Sequence, residues 1–238
     1  MRSLLDGAVF PLAYLAATAW VRQRGLKSLI LAYKNVAIER MGYLGHSWSI
    51  WCSFLEAEPY LDNDEQALFA AERFAEFVAT QLSTPDWVES LRVNFSLETE
   101  SVNEQEAIDS ICAYPGFFGH SVITLAYLFK YRNTLSFDEW NHALLRTFHV
   151  SKKGAERGDK NTHVPKPTLA KGPVVKSTLQ TQIFAFLDIA PKEAHSLTFS
   201  DALWELWDHV SEHTKQHLLE VLRIYARELS AFRRTSLT

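Results

Sequence analysis

Apolar residues recur along most of this chain at the three- and four-residue spacing of helices that bury one face. From Val122 to Phe129 the run is apolar nearly all round, as in a helix enclosed by others. The pattern predicts helices near 3–21, 24–40, 47–58, 63–81, 85–95, 102–113, 121–133, 137–150, 177–188 and 199–231. Thr84-Pro85 supplies a cap followed by proline at the first helical position, and Ser101 with Glu104 fits a capping box.

The pattern also repeats. Gly42-Tyr43-Leu44-Gly45-His46-Ser47 returns as Gly116-Phe117-Phe118-Gly119-His120-Ser121, an ungapped shift of 74 positions. At the same shift Leu61 meets Leu135, Asp64-Glu65 meets Asp138-Glu139, and Phe74 meets Phe148. A period of this length holds several helices. Each copy carries a predicted helix start: Asp62 with Glu65, Ser136 with Glu139, and, in a degenerate third copy, Thr198 with Asp201. Ser177-Thr178-Leu179 is the expected remnant of Gly-His-Ser in that third copy. The expected architecture is one all-α domain over 1–238. It is an antiparallel helical bundle of quasi-repeats of about 74 residues, with units near 42–115, 116–176 and 177–238.

Composition agrees with that architecture. The chain has 238 residues, 47% hydrophobic and 13% aromatic, with only 9 Gly and 8 Pro, too few for a turn-rich β fold or a low-complexity polymer. A net charge of −4 gives no reason to expect a nucleic-acid partner. Cys52 and Cys112 form neither a disulfide framework nor a metal knuckle, and a cytoplasmic location is expected. The apolar run Gly7–Trp20 follows Asp6, is interrupted by Pro11, and is shorter than the ~20 residues of a membrane span. A buried first helix and no membrane span are therefore expected.

Residues 151–176 break the pattern, with seven Lys or Arg against two acids, a local charge of +5. Loops of this length are functional lids or disordered segments. Lys152, Lys153 and Arg157 are candidate donors to an anion, although the phosphate-loop spacing is missing.

His46 and His120 are the first candidates for chemistry. Each follows a glycine and opens an apolar helix, where the positive end of the helix dipole favours the neutral ring. A neutral imidazole can ligate a metal, polarise a carbonyl or act as a base. It can equally bond a loop carbonyl and pack the junction between units. Tyr43, Trp48, Phe117, Phe118 and Tyr127 are the expected aromatic walls of a pocket between the two histidines. His209, His213 and His217, four apart on the last predicted helix, form a stripe with metal-ligand spacing. H-E-x-x-H and the paired Glu-x-x-His of di-iron bundles do not occur, so the stripe also fits a solvated face.

The segment Gly119-His120-Ser121-Val122-Ile123-Thr124-Leu125-Ala126-Tyr127 resembles the F-H-G-L-I-R-L-A-Y type of segment in questin oxidase-like helical proteins, and Gly45-His46-Ser47-Trp48 resembles their earlier N-H-L-P-type segment. Glycine stands here where that family has Asn or Phe before the histidine. The resemblance implies oxidation of an aromatic or quinone-like natural product, with the histidines lining the pocket, and names no cofactor. Two functions of different class are expected: a small-molecule enzyme, an oxygenase or oxidase, or a non-catalytic helical interaction protein or accessory subunit.

Overall fold

The computed structural model describes residues 11–42, 44–82, 103–156, 174–189 and 194–235. Among these residues every regular element is a helix. In chain order the α-helices are α1 (Leu12–Arg24), α2 (Leu26–Leu31), α3 (Lys34–Glu39), α4 (His46–Ala57), α5 (Asp64–Phe77), α6 (Glu104–Ala113), α7 (His120–Lys130), α8 (Phe137–Glu156), α9 (Lys176–Ile189), α10 (Ala194–Leu206) and α11 (Glu212–Thr235). The all-α expectation holds. The predicted cap at Thr84-Pro85 and the predicted helix 85–95 lie outside the described residues. Ser101 lies outside them too, but the helix expected to follow it is capped instead by Asn103, whose Oδ1 accepts from the Gln105 and Glu106 N–H groups at 2.9 and 3.4 Å, with Glu104 as the first helical residue.

The chain forms two compact units, Met1–Val93 and Asn94–Thr238. In the first, α1 presents the small buried face Ala13, Ala16 and Ala17. A face that small lets α5 approach closely, and the Tyr14 hydroxyl donates to Glu76 across the seam. Phe54, Phe74, Phe77 and Tyr33 build an aromatic core with ring centres 5.0–6.0 Å apart. Trp48 and Trp51 stack at 4.8 Å, and Trp51 Nε1 donates to the Ile30 carbonyl at 2.7 Å.

In the second unit, helices far apart in sequence are neighbours. His120 and Gly119 meet His195 and Phe199, and further along Ala126 and Tyr127 lie with Thr198, Asp201 and Ala202, so α7 and α10 run side by side in the same direction. The pair α6 and α11 does the same: Thr214 Oγ1 donates to Asp109, the Ala113 carbonyl bonds His217, and the Tyr225 hydroxyl donates to the Gly116 carbonyl at 3.0 Å.

A helix opening at His46, His120 or Ala194 is followed by a capped second helix. The caps are alike: Asn63 Oδ1 accepts from the Gln66 N–H at 2.9 Å, Ser136 Oγ from Glu139 at 3.2 Å and Ser211 Oγ from Thr214 at 3.2 Å. Only the Ser136–Glu139 box is as the sequence predicts, with Glu139 returning a bond to the Ser136 N–H at 2.7 Å. In the first copy the cap is Asn63, one residue past Asp62, and the side chain of Gln66 takes the reciprocal role expected of Glu65. Thr198 is not a cap; it lies inside α10, where its hydroxyl bonds back to the His195 carbonyl at 3.3 Å.

Two further expectations are corrected. The predicted helix 24–40 is two helices separated at Ala32-Tyr33, and the predicted helix 199–231 ends at Leu206 and restarts at Glu212. The restart has a local cause, since Ser211 caps the new helix while bonding across to Asp109. Part of the expected basic loop is also helical, because α8 continues to Glu156.

Gly119 has two separate reasons to be glycine. Its φ is +78°, and a Cβ there would run into the ring of Phe199. Gly119→Ala is therefore expected to destabilise the protein by roughly 2–4 kcal/mol, of which the left-handed backbone (φ 78°, ψ 17°) accounts for about 1 kcal/mol and the clash with Phe199 for the rest. Chemical denaturation of the variant measures the loss; a value near that of backbone strain alone would remove the Phe199 contact as a cause.

Candidate functional site

The repeated glycine segment folds alike in both copies. The Gly45 N–H donates to the Gly42 carbonyl at 3.0 Å and the Gly119 N–H to the Gly116 carbonyl at 3.1 Å. Gly45 (φ 61°) and Gly119 (φ 78°) then turn the chain through the left-handed region, and a helix starts at the following histidine. The serine after each histidine faces inward. Ser47 is 6% exposed and donates to the Ala37 carbonyl at 3.0 Å; Ser121 is 4% exposed, with its Oγ against the space where Gly116 lacks a side chain.

The histidines differ. His46 is exposed, whereas His120 is 5% exposed. They belong to different units, and the imidazole beside His120 is that of His195, with ring centres 5.2 Å apart and planes inclined by 57°. His195 sits in the first turn of α10, as His120 opens α7. Ser196 follows it and is 1% exposed. His-Ser thus occurs a third time, 75 positions after the second. Ser177-Thr178-Leu179, the expected remnant of Gly-His-Ser, lies in the first turns of α9.

Phe118 borders the pair. It is the one non-glycine residue with positive φ (45°) among those described, an arrangement costing about 1–2 kcal/mol and retained only where the surroundings enforce it. Its ring stacks on His195 at 5.4 Å and lies 6.3 Å from Tyr225, which in turn lies 5.2 Å from Phe199. The cluster can hold two imidazoles next to aromatic faces, and His195 keeps partial access to solvent. His195, Phe199 and Tyr225 were not among the residues the sequence pointed to.

The other expected walls are scattered. Trp48 is fully buried against Trp51 in the first unit. Tyr127 lines a shallow open groove between α7 and α10 with Lys130, Thr198, Asp201 and Glu205. Tyr43 and the Phe117 side chain lie outside the described residues. Lys152 is exposed on α8 with its ammonium 5.9 Å from the centre of the Phe148 ring, and the Lys153 side chain and Arg157 lie outside the described residues.

The three-histidine stripe does not form. His209 lies in the turn between α10 and α11, its ring stacked on Phe129 at 4.5 Å, so it is not on the helix that carries His213 and His217. His213 is exposed; His217 is 8% exposed, with a buried Nε2 that has no partner. Among the described residues no group of three or more His, Cys, Asp or Glu is placed to hold a metal ion. Burial pushes the Cys112 thiol far up, with Asp109 adding to the effect, so it stays protonated.

Comparison with known proteins gives no match to a protein family, a curated protein or a solved structure.

Burial holds the His217 imidazole below its ordinary value, and the neighbouring His213 acts the same way, against weaker opposing effects of the Ala113 carbonyl and Glu220. The unfolded chain therefore takes up this proton first, and stability falls as pH drops below about 6.5. Asp208, bonded to Lys176, and Glu212, bonded to Lys215, are held below the usual carboxylate range and add their loss only at lower pH, below about 4. Melting temperature is expected to decline between about pH 6.5 and 5, and His217→Gln to flatten that decline. A slope unchanged in the variant would show that another group controls it.

Proposed function

We propose that the protein is a small-molecule enzyme whose reactive groups are the imidazoles of His120 and His195. The observation that carries this reading is their closeness, 5.2 Å between ring centres, at the first turns of two parallel helices and beside the strained Phe118. An imidazole can offer a donor N–H at one nitrogen and an acceptor at the other, and two side by side bring both to one place. Such a pair can donate to a carbonyl oxygen while accepting a hydroxyl proton, which suits a quinone or phenol. The half-buried Phe118 gives a flat apolar face for an aromatic ring. Oxidation of that substrate, by an oxygenase or oxidase, rests on the resemblance of Gly119–Tyr127 to the questin oxidase-like segment. A cytoplasmic location accords with two buried cysteines that are both free thiols.

The alternative, a non-catalytic helical interaction protein, has its own support in the first unit. There the same segment packs a helix junction through Ser47 and leaves His46 exposed. Calorimetric titration with the quinone menadione separates the two. The enzyme reading expects His195→Ala, at the partly exposed ring, to weaken binding about tenfold or more with little change in melting temperature, and His120→Gln, which keeps most of the buried volume, to weaken it likewise. Unchanged binding, or parallel loss of stability at both positions, would favour the interaction protein.

A further inference from the structure

We propose that His120 and His195 together bind a divalent transition-metal ion of the zinc, cobalt or copper class. The proposal deepens the reading above and rests on it for the ion's purpose, though the geometry stands by itself. A tetrahedral ion about 2.0–2.1 Å from one nitrogen of each of two imidazoles sets the ring centres roughly 5 Å apart. The observed separation is 5.2 Å, with the planes inclined by 57°.

Both rings are also held in place. His120 opens α7, and with only 5% of its surface exposed its ring is confined by packing. The plane of His195 is set by stacking on Phe118 at 5.4 Å. In sites of this kind each imidazole gives one nitrogen to the ion and donates a hydrogen bond from the other, which orients the ring. Imidazole favours zinc, cobalt and copper over magnesium or calcium. Among the described residues no third His, Cys, Asp or Glu joins the pair, so the remaining positions fall to water or to a substrate oxygen. The ion then draws electron density from a substrate carbonyl held there. Protons compete for both nitrogens, so affinity falls as the solution becomes acidic.

Electron paramagnetic resonance of the full chain with one equivalent of Cu2+ tests this directly. The parent protein is expected to show coupling to two imidazole nitrogens. His120→Ala and His195→Ala should each reduce that to one and weaken binding about tenfold or more. His209→Ala and His213→Ala should leave the spectrum unchanged. If His120→Ala fails to fold, the parent spectrum with 15N-labelled histidine and the His195→Gln variant decide the point. One nitrogen or none in the parent protein would overturn the proposal, as would coupling that follows His213 or His217. Menadione binding that depends on His120 in metal-free protein leaves the enzyme reading standing, while loss of the two-nitrogen signal removes only the metal. Two-nitrogen binding without any menadione affinity supports the metal and removes the quinone-directed enzyme.

Discussion

The contact between Gly119 and the ring of Phe199 is the constraint on which the second unit depends. Without a side chain at Gly119, Phe199 lies against the backbone just before α7, and α10 is drawn along α7 in the same direction. The same glycine, at φ +78°, turns the chain so that His120 becomes the first residue of its helix. Those two effects place His120 and His195 side by side. Phe118, the residue before Gly119, is held in the left-handed region between His195 and Tyr225, and its strain of about 1–2 kcal/mol is offset by that packing.

A second set of contacts keeps this arrangement from loosening. Asp109 receives the Thr214 hydroxyl, His217 meets the Ala113 carbonyl, and Tyr225 reaches the Gly116 carbonyl, so α11 is tied along α6 and into the glycine turn. Net gains from such bonds are about 1 kcal/mol each, but leaving a buried partner unmade costs more. The glycine turn thus lies where the α7–α10 contact and the α6–α11 contact meet. The first unit uses the same turn differently. Ser47 bonds Ala37, the two tryptophans stack inside, and His46 faces solvent.

Most of the helices were legible from periodicity, because helices that bury one face must space their apolar residues accordingly. The breaks were not. Apolar spacing runs through Ala32-Tyr33 and through Trp207-Val210, so nothing local marks the ends of α2 and α10. Caps fell within a residue or so where several polar residues adjoin, as at Asp62-Asn63, since either side chain can accept the orphan N–H. His120 was legible as part of a repeated glycine motif. His195 was hidden because Ala194 replaces the glycine and the spacing grows by one residue, and because its importance comes from a tertiary contact with α7. The histidine stripe at 209–217 failed for a related reason: the cap at Ser211 interrupts the helix on which the stripe would lie.

Everything functional argued for this chain follows from His120 and His195 being neighbours. The most direct measurement is a nuclear Overhauser contact between their ring protons in protein labelled at histidine, which the 5.2 Å centre separation brings within range. The contact is expected in the parent protein and should vanish in Gly119→Val, where the Phe199 ring can no longer lie against the backbone. Two imidazoles in the folded parent protein that show no contact would contradict the site and the reading built on it.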